Sequence, residues 1–496
     1  MTRRVTRRRA LAELGLGGAA LLLAGCGAAG RGPAADGSTL ASVWDDPVHD
    51  GVLERGHGGA LLDRTELAAR GPLGADLARI AHVTDAHVLD AQSPARVTFL
   101  DRLGPPFTST FRPQETLTAQ VLAGAVAAVN AFTPDAVVQG GDLIDNAQDN
   151  ELHQALRVLA GGRVRRASGS ASYVGVQSSA NPDPFYYRPA IDAPRHPGLL
   201  AAALRTFSSP GLRAPVHHVL GDHDILVAGV LAPTASTRAI AVGDRAVWDL
   251  PGRLDIPHVE ATAATPDGFE EPQAIGALID ELLTMPSVTV PADRTRRELD
   301  ALEVPFALRA AHDGPFLDYH VDLGAHVRLI VLDLVRRGGG SDGLVHPGQR
   351  EWLAGELAGA AERWVIVVSH QPLTSTAGGE ALLALLDRHP RTLAALSGHI
   401  HRNRIEPRRA PNGGYWLIAT ASLIDYPQQA RAIRIRSGAA GSVALETWML
   451  DHVPAGWGDV SRSLSYLDAQ GGRPQGFAGT PLDRNARLYR GPAQSA

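Results

Sequence analysis

The chain has 496 residues, 44% of them hydrophobic and 20% charged, the composition of a globular protein with a large core. Its 47 basic residues are all arginine and are outweighed by 52 acidic ones, for a formal net charge of −5. That balance excludes the broad basic footprint of a nucleic-acid-binding domain. No specific nucleic-acid binding is expected, and an anionic ligand has to be drawn by local features such as metal ions.

Residues 1–25 read as an export signal. Arg3, Arg4, Arg7, Arg8 and Arg9 precede an apolar stretch over 10–24 that is broken by one charge, Glu13. The stretch is too short for a comfortable membrane span and has the layout of a secretory signal. Its mild, Gly- and Ala-rich character after Thr6-Arg7-Arg8 resembles a twin-arginine signal, and Leu23-Ala24-Gly25-Cys26 resembles a bacterial lipobox. Cys26 is the sole cysteine, which leaves the mature chain without a disulfide. The expectation is a lipoprotein anchored through lipidated Cys26 to the outer face of the cytoplasmic membrane.

Residues 26–75 show no sustained period and read as a tether passing into an N-terminal arm. A domain over 76–451 follows. A buried strand over 78–84 ends at Asp85-Ala86-His87, a helix is expected over 115–132, and a strand over 135–138 delivers Gly140-Gly141-Asp142-Leu143-Ile144-Asp145-Asn146. The run 216–220 delivers Gly221-Asp222-His223-Asp224. Further strands are expected over 327–333, 364–368, 392–396, 415–419, 430–435 and 443–450, with helices over 347–361 and 379–388. Two of these strands run into Ser369-His370-Gln371-Pro372 and Gly398-His399-Ile400-His401. Two inserts, over 151–215 and 226–320, exceed ordinary loop lengths, and the second holds a helical piece near 274–284. Such inserts wall a pocket or decorate the surface. Residues 452–496 are polar and Gly/Pro-rich and read as an irregular tail.

The five motifs are carboxylate and imidazole clusters, and most follow a β-rich apolar run. A sheet gathers distant ligands onto one rim in this way. Oxygen and nitrogen donors without thiolates suit Mn, Fe or Zn. The motif order is similar to that of the calcineurin-like metallophosphoesterases: D-x-H, G-D-x-x-D, G-N-H-[ED], a lone His, then G-H-x-H. The exported, insert-bearing architecture looks like a group of bacterial members with twin-arginine signals. The resemblance runs from Asp85 to about Leu450. It implies an α/β fold, a four-layer α-β-β-α sandwich of two mixed sheets flanked by helices.

The resemblance also implies two metal ions. Asp85, His87, Asp142 and His401 would hold the first; Asp142, Asp222, His370 and His399 would hold the second, with Asp142 bridging. The activity implied is hydrolysis of phosphomonoesters or phosphodiesters by a hydroxide that bridges the metals. His223 would stabilise or protonate the leaving oxygen, with Asp224 orienting its ring. The substrate would be a small-molecule, lipid or nucleotide phosphoester.

Asp145 and Asn146 are expected to hold ligands in place rather than bind metal. His82, His217 and His218 read as core or rim residues, and Arg402 and Arg404 either reach a phosphate or are solvated. Tyr186, Tyr187 and Arg188 could stack on a nucleotide-like group, and the segment Asp425 to Gln429 resembles one in the exported group without suggesting a chemical role. Two departures from the family stand out. Asp222 replaces the usual Asn, and position 145 is Asp where purple acid phosphatases place Tyr. The Asp222 replacement supports the alternative of a surface lipoprotein that binds a phosphorylated ligand or partner without turnover.

Overall fold

The computed structural model describes residues 37–96, 98–99, 110–247, 285–309, 314–360, 362–453, 457–470 and 476–493. The expected leader, Cys26 and the helical piece near 274–284 lie outside the described residues.

Two large mixed sheets dominate these residues. In chain order the first half supplies β1 (Leu62–Arg64), β2 (Leu73–Val83), β3 (Ala136–Gln139) and β4 (Val216–His218). The second half supplies β5 (Tyr319–Leu323), β6 (Val327–Leu332), β7 (Trp364–Ser369), β8 (Thr392–Ser397), β9 (Arg404–Arg408) and β10 (Tyr415–Ala419). Last come β11 (Gln429–Gly438), β12 (Val443–Asp451) and β13 (Ala486–Arg490). The first sheet has the order β1-β13-β12-β11-β2-β3-β4 and the second β5-β6-β7-β8-β10-β9. Strands β2, β3 and β4 are mutually parallel, as are β6, β7, β8 and β10, so each sheet has a parallel core whose carboxyl ends point one way.

Side-chain alternation explains the layering. On β6, Leu329 and Val331 join the large core that also holds Ile80, Val137 and Ile433 of the first sheet. Their neighbours Ile330 and Leu332 face the opposite way, into a second core with α3 (Gln349–Gly359) and α4 (Gly379–Leu386). On the first sheet the helices are α1 (Thr118–Phe132) and α2 (Asp149–Ala160), whose Val121, Leu122, Val129, Leu152 and Val158 pack into the large core. Parallel strands covered on both faces read as continuous apolar runs, and β6 (VRLIVL) and β7 (WVIVVS) are such runs. The result is the four-layer α-β-β-α sandwich that the motif order implied.

Both ends of the chain extend this domain beyond the expected bounds. Residues 37–75 form a hairpin of Ser42–Asp45 with Glu54–His57 and then β1, which pairs in parallel with β13 from the other terminus. The segment expected to be an irregular tail instead supplies the helix Gly458–Gln470 and the sheet strand β13. The first insert contributes an antiparallel strand pair, Gly162–Val164 with Phe207–Ser209, and the short helix Leu199–Ala203 between them. The second contributes the helix Ala235–Val242 and an antiparallel pair of Arg245–Val247 with Ser287–Thr289. Among the described residues no helix is long and apolar enough to cross a membrane.

Candidate metal centre

The carboxyl ends of both parallel cores meet at one place. Asp85 and His87 follow β2, Asp142 follows β3 and Asp222 follows β4, while His370 follows β7 and His399 and His401 follow β8. Their ligand atoms form two groups, Asp85-His87-Asp142-His401 and Asp142-Asp222-His370-His399, each with all members within 4.8 Å. Asp142 belongs to both. The seven residues expected as ligands are thus brought together, in the two sets the resemblance implied.

The loops are built tightly for this purpose. Asp85 and His87 donate their backbone N–H groups to the carbonyls of Gly141 and Asp142 (both 3.0 Å), which staples the loop after β2 to the loop after β3. Gly141, at φ +94°, carries no side chain because one would sit 2.4 Å from His370 Nδ1. The Asp142 carboxylate is aimed by the His223 backbone N–H (2.9 Å), and that of Asp85 by the Thr84 hydroxyl (2.6 Å) and the His399 N–H (3.0 Å).

Each of three ligand imidazoles is fixed through Nδ1. His87 Nδ1 donates to Asp145 Oδ1 (2.9 Å), His370 Nδ1 to the Gly140 carbonyl (2.9 Å) and His401 Nδ1 to Asp425 Oδ2 (2.6 Å). These bonds commit the Nδ1 protons and leave the Nε2 lone pairs for a ligand. His223 is held in the same way, Nδ1 donating to the Asp145 carbonyl (2.8 Å).

The donor set fits two cations. His87 Nε2 and His401 Nε2 lie 3.2 Å apart, close enough for one cation to take both nitrogens. His370 Nε2 is buried without a hydrogen bond, yet lies 3.1 Å from both Asp142 Oδ2 and Asp222 Oδ1. Burial lowers the affinity of these rings for protons; at His87 burial and the neighbouring His223 prevail, whereas at His370 and His401 the carboxylates outweigh burial. Asp142 and Asp222 hold His370 well above the ordinary imidazole range, and Asp85 and Asp425 push His401 up to about 9. Asp142 and Asp145 likewise push His223 up to about 10. Burial raises Asp222, but the His399 and His370 rings hold it well below the usual carboxylate range. A pocket that draws protons so strongly draws cations for the same electrostatic reason.

Asp224 does not orient His223, contrary to expectation. Its carboxylate accepts the backbone N–H groups of Leu143 (2.8 Å), Ile144 (3.1 Å) and Gly221 (2.9 Å), tying the loops after β3 and β4 together. Orientation of the His223 ring falls to Asp145 instead. Asn146 donates to Asp145 Oδ2 (3.1 Å) and accepts from the Ala228 N–H (3.2 Å), a holding role as expected. Asp222 Oδ1 also accepts from Gln371 Nε2 (3.0 Å), so part of the extra charge at this position is met by an amide.

The remaining candidates lie elsewhere. Tyr186 is fully buried against Phe111 and Val176, which fastens the insert to the domain, and Arg188 bonds Asp192 (2.9 Å) within the insert. Arg404 pairs with Glu406 (2.6 Å), and His82 is a buried core residue bonded to Thr420 (2.9 Å). Asp425, given no chemical role from sequence, and Arg112, which the sequence did not suggest, form a buried pair at 2.7 Å behind His401.

No family model and no curated protein matches this sequence. Solved structures to which the chain is similar include a dimetal phosphatase from Danio rerio, at 14% identity and a TM-score of 0.38, covering 76% of this chain and 100% of that one. Another is a purple acid phosphatase from yellow lupin (Lupinus luteus) seeds, at 12% identity and a TM-score of 0.32, covering 77% of this chain and 52% of that one. A third is an NAD nucleotidase from Haemophilus influenzae, at 11% identity and a TM-score of 0.26, covering 80% and 56%. Motif order, four-layer sandwich and seven converging ligand residues together carry the resemblance to the calcineurin-like metallophosphoesterases from sequence through to geometry.

Proposed function

We propose that this chain is an exported, lipid-anchored phosphoesterase that holds two metal ions. One observation carries the reading: Asp142 is shared by two clusters of aspartate and histidine, each closed enough to surround a cation. When bound, two ions there would supply Lewis-acid activation of water and would neutralise charge on a phosphoryl group. The chain's own residues supply the rest. His223 keeps Nδ1 on the Asp145 carbonyl, which leaves Nε2 to hand a proton to, or bond, a leaving oxygen. Asp145 reaches both His87 and His223, so one carboxylate sets the positions of a ligand and of the proton donor. The Arg-rich leader and Leu23-Ala24-Gly25-Cys26 support export and anchoring. Mono- and diesters, and lipid, nucleotide or sugar phosphates, all suit this chemistry.

The test is metal analysis of the purified protein, followed by hydrolysis assays on chromogenic phosphomonoesters and phosphodiesters with Mn, Fe or Zn. About two ions per chain are expected. His223→Ala should keep both ions and lower kcat by about 10²–10⁴-fold, the usual worth of a general acid. Asp142→Asn should lose metal and activity together. Unchanged rates in both variants would defeat the enzymatic reading. Two ions without turnover of any ester would favour the binding-protein alternative, for which the added carboxylate of Asp222 is the supporting observation. Cys26→Ser should move the protein from the membrane fraction to the soluble fraction; unaltered fractionation would defeat anchoring.

A further inference from the structure

Behind the first cluster runs a line of buried charges that belongs to none of the five motifs. His401 Nδ1 donates to Asp425 Oδ2 at 2.6 Å, and the other oxygen of the same carboxylate receives Arg112 Nε at 2.7 Å. A second guanidinium nitrogen, Arg112 Nη2, reaches Asp425 Oδ2 at 3.4 Å, so the fork grips both oxygens. The Arg112 backbone N–H in turn donates to Glu115 Oε2 (3.0 Å), and Glu115 pairs with Arg96. All of these side chains are buried or nearly so: Arg112 is 2% exposed and Asp425 8%.

The surrounding backbone is built to keep this line in place. Asp425 is preceded by Leu423 and Ile424, whose N–H groups donate to the Asp85 carbonyl (3.1 and 3.2 Å). Gln114 Nε2 donates to the Ile424 carbonyl (2.9 Å), so the segment carrying Arg112 is bonded directly to the segment carrying Asp425. The Ser422 hydroxyl accepts from the Asp425 N–H (2.9 Å).

We propose that Asp425 and Arg112 are positioning residues for His401, and that they set the occupancy of the first metal cluster without touching the second. The argument is one of tautomer and charge. A carboxylate on Nδ1 fixes the proton there and aims Nε2 at the centre, where it lies 3.3 Å from Asp85 Oδ1. The Arg112 fork bonds both oxygens of that carboxylate, so Asp425 is held in the orientation that receives His401 Nδ1. Partners of this kind are worth 10–100-fold in metal affinity. The second cluster is held from elsewhere: His370 takes its orientation from the Gly140 carbonyl, and His399 Nδ1 lies 3.3 Å from Asp222 Oδ1. The proposal rests on reading the two clusters as metal sites.

The experiment titrates the purified, metal-stripped chain with Zn and with Mn, and counts ions per chain at each free-metal concentration. Asp425→Asn leaves one oxygen to serve either His401 or Arg112, not both. It should weaken one of two binding steps at least tenfold and leave the other unchanged. Arg112→Lys, which keeps the charge and loses the fork, should give a smaller loss at the same step, whereas Arg112→Met should match Asp425→Asn. Combining Arg112→Met with Asp425→Asn should add nothing further. A uniform loss at both steps, or two unaltered steps in a folded Asp425→Asn chain, would overturn the proposal. Should Asp425→Asn fail to fold, Arg112→Lys decides alone: equal affinities at both steps overturn it. A wild-type chain that binds no metal would remove the metal reading itself, an outcome distinct from any of these.

Discussion

Five of the seven candidate ligand residues share a backbone conformation that side chains usually avoid. Asp85 (φ 53°), His87 (43°), Asp142 (47°), His399 (65°) and His401 (53°) all lie in the left-handed region. For residues with a Cβ this costs on the order of 1–2 kcal/mol each, and it persists only because the paired loops overdetermine it. The benefit is direction, since tight turns after the strands project alternate side chains into one small volume. A stability prediction follows for the metal-free protein. His399→Gly relieves the backbone cost that His399→Ala retains, so the glycine variant should be more stable by about 1 kcal/mol, the reverse of their order at an ordinary helix position. Denaturant unfolding in the presence of chelator measures this. Equal midpoints would show that the turn at 399 carries no strain.

At the scale of elements, the inserts join the rest of the chain through apolar packing as well as hydrogen bonds: Val164, Leu299, Val304 and Leu308 enter the large core, and Leu199 packs with Leu117 and Leu464. Leu299 donates its N–H to the Ala147 carbonyl (2.8 Å), and Glu298 accepts from the Thr237 hydroxyl (2.7 Å) within the second insert. Burial pushes the Glu298 carboxyl up to about 7 from an ordinary 4.5. The sign of the linkage is then fixed. Between those values the unfolded chain has released a proton that the folded chain keeps, so this stabilisation is complete below about 4.5 and is lost as pH rises toward 7. The slope is at most about 1.4 kcal/mol per pH unit. Glu298→Gln should flatten that decline, as seen in urea midpoints at pH 5 and pH 7. An identical pH dependence in variant and parent would refute it. Elements also mark how far the sequence was legible. Strands such as β6 and β7 were readable because burial on both faces requires unbroken apolar runs, each followed by a polar motif. Strand β1 was not readable: it is three residues long, mostly exposed, and pairs with β13 more than 400 residues away. Local patterning carries no record of such a partner. The role of Asp224 was misassigned for the same reason. Adjacency in sequence suggested Asp224 for His223, but a turn points successive side chains apart, and Asp224 faces backbone amides instead. Asp425 lay in a segment that attracted notice, whereas Arg112, 313 residues from it, gave no signal at all.

On the scale of the whole molecule, the candidate ligands divide between the two sheets. The first cluster takes Asp85, His87 and Asp142 from loops of the first sheet and His401 from the second; the other takes Asp142 and Asp222 from the first and His370 and His399 from the second. Each ion would therefore act as a rivet through the sandwich, clamping the halves at the rim where loops rather than strands meet. No disulfide can share that task, because Cys26 is the sole cysteine. Ions that bind only the folded chain stabilise it by mass action, about 2.7 kcal/mol for each site held at a hundred times its Kd. Stripping the protein with chelator should thus lower its melting temperature in calorimetry and restoring Zn or Mn should raise it; indifference to both would show that the halves hold without rivets. In surroundings starved of transition metals, such a protein would lose rigidity along with chemistry, and the loosened rim would be where a protease first finds purchase.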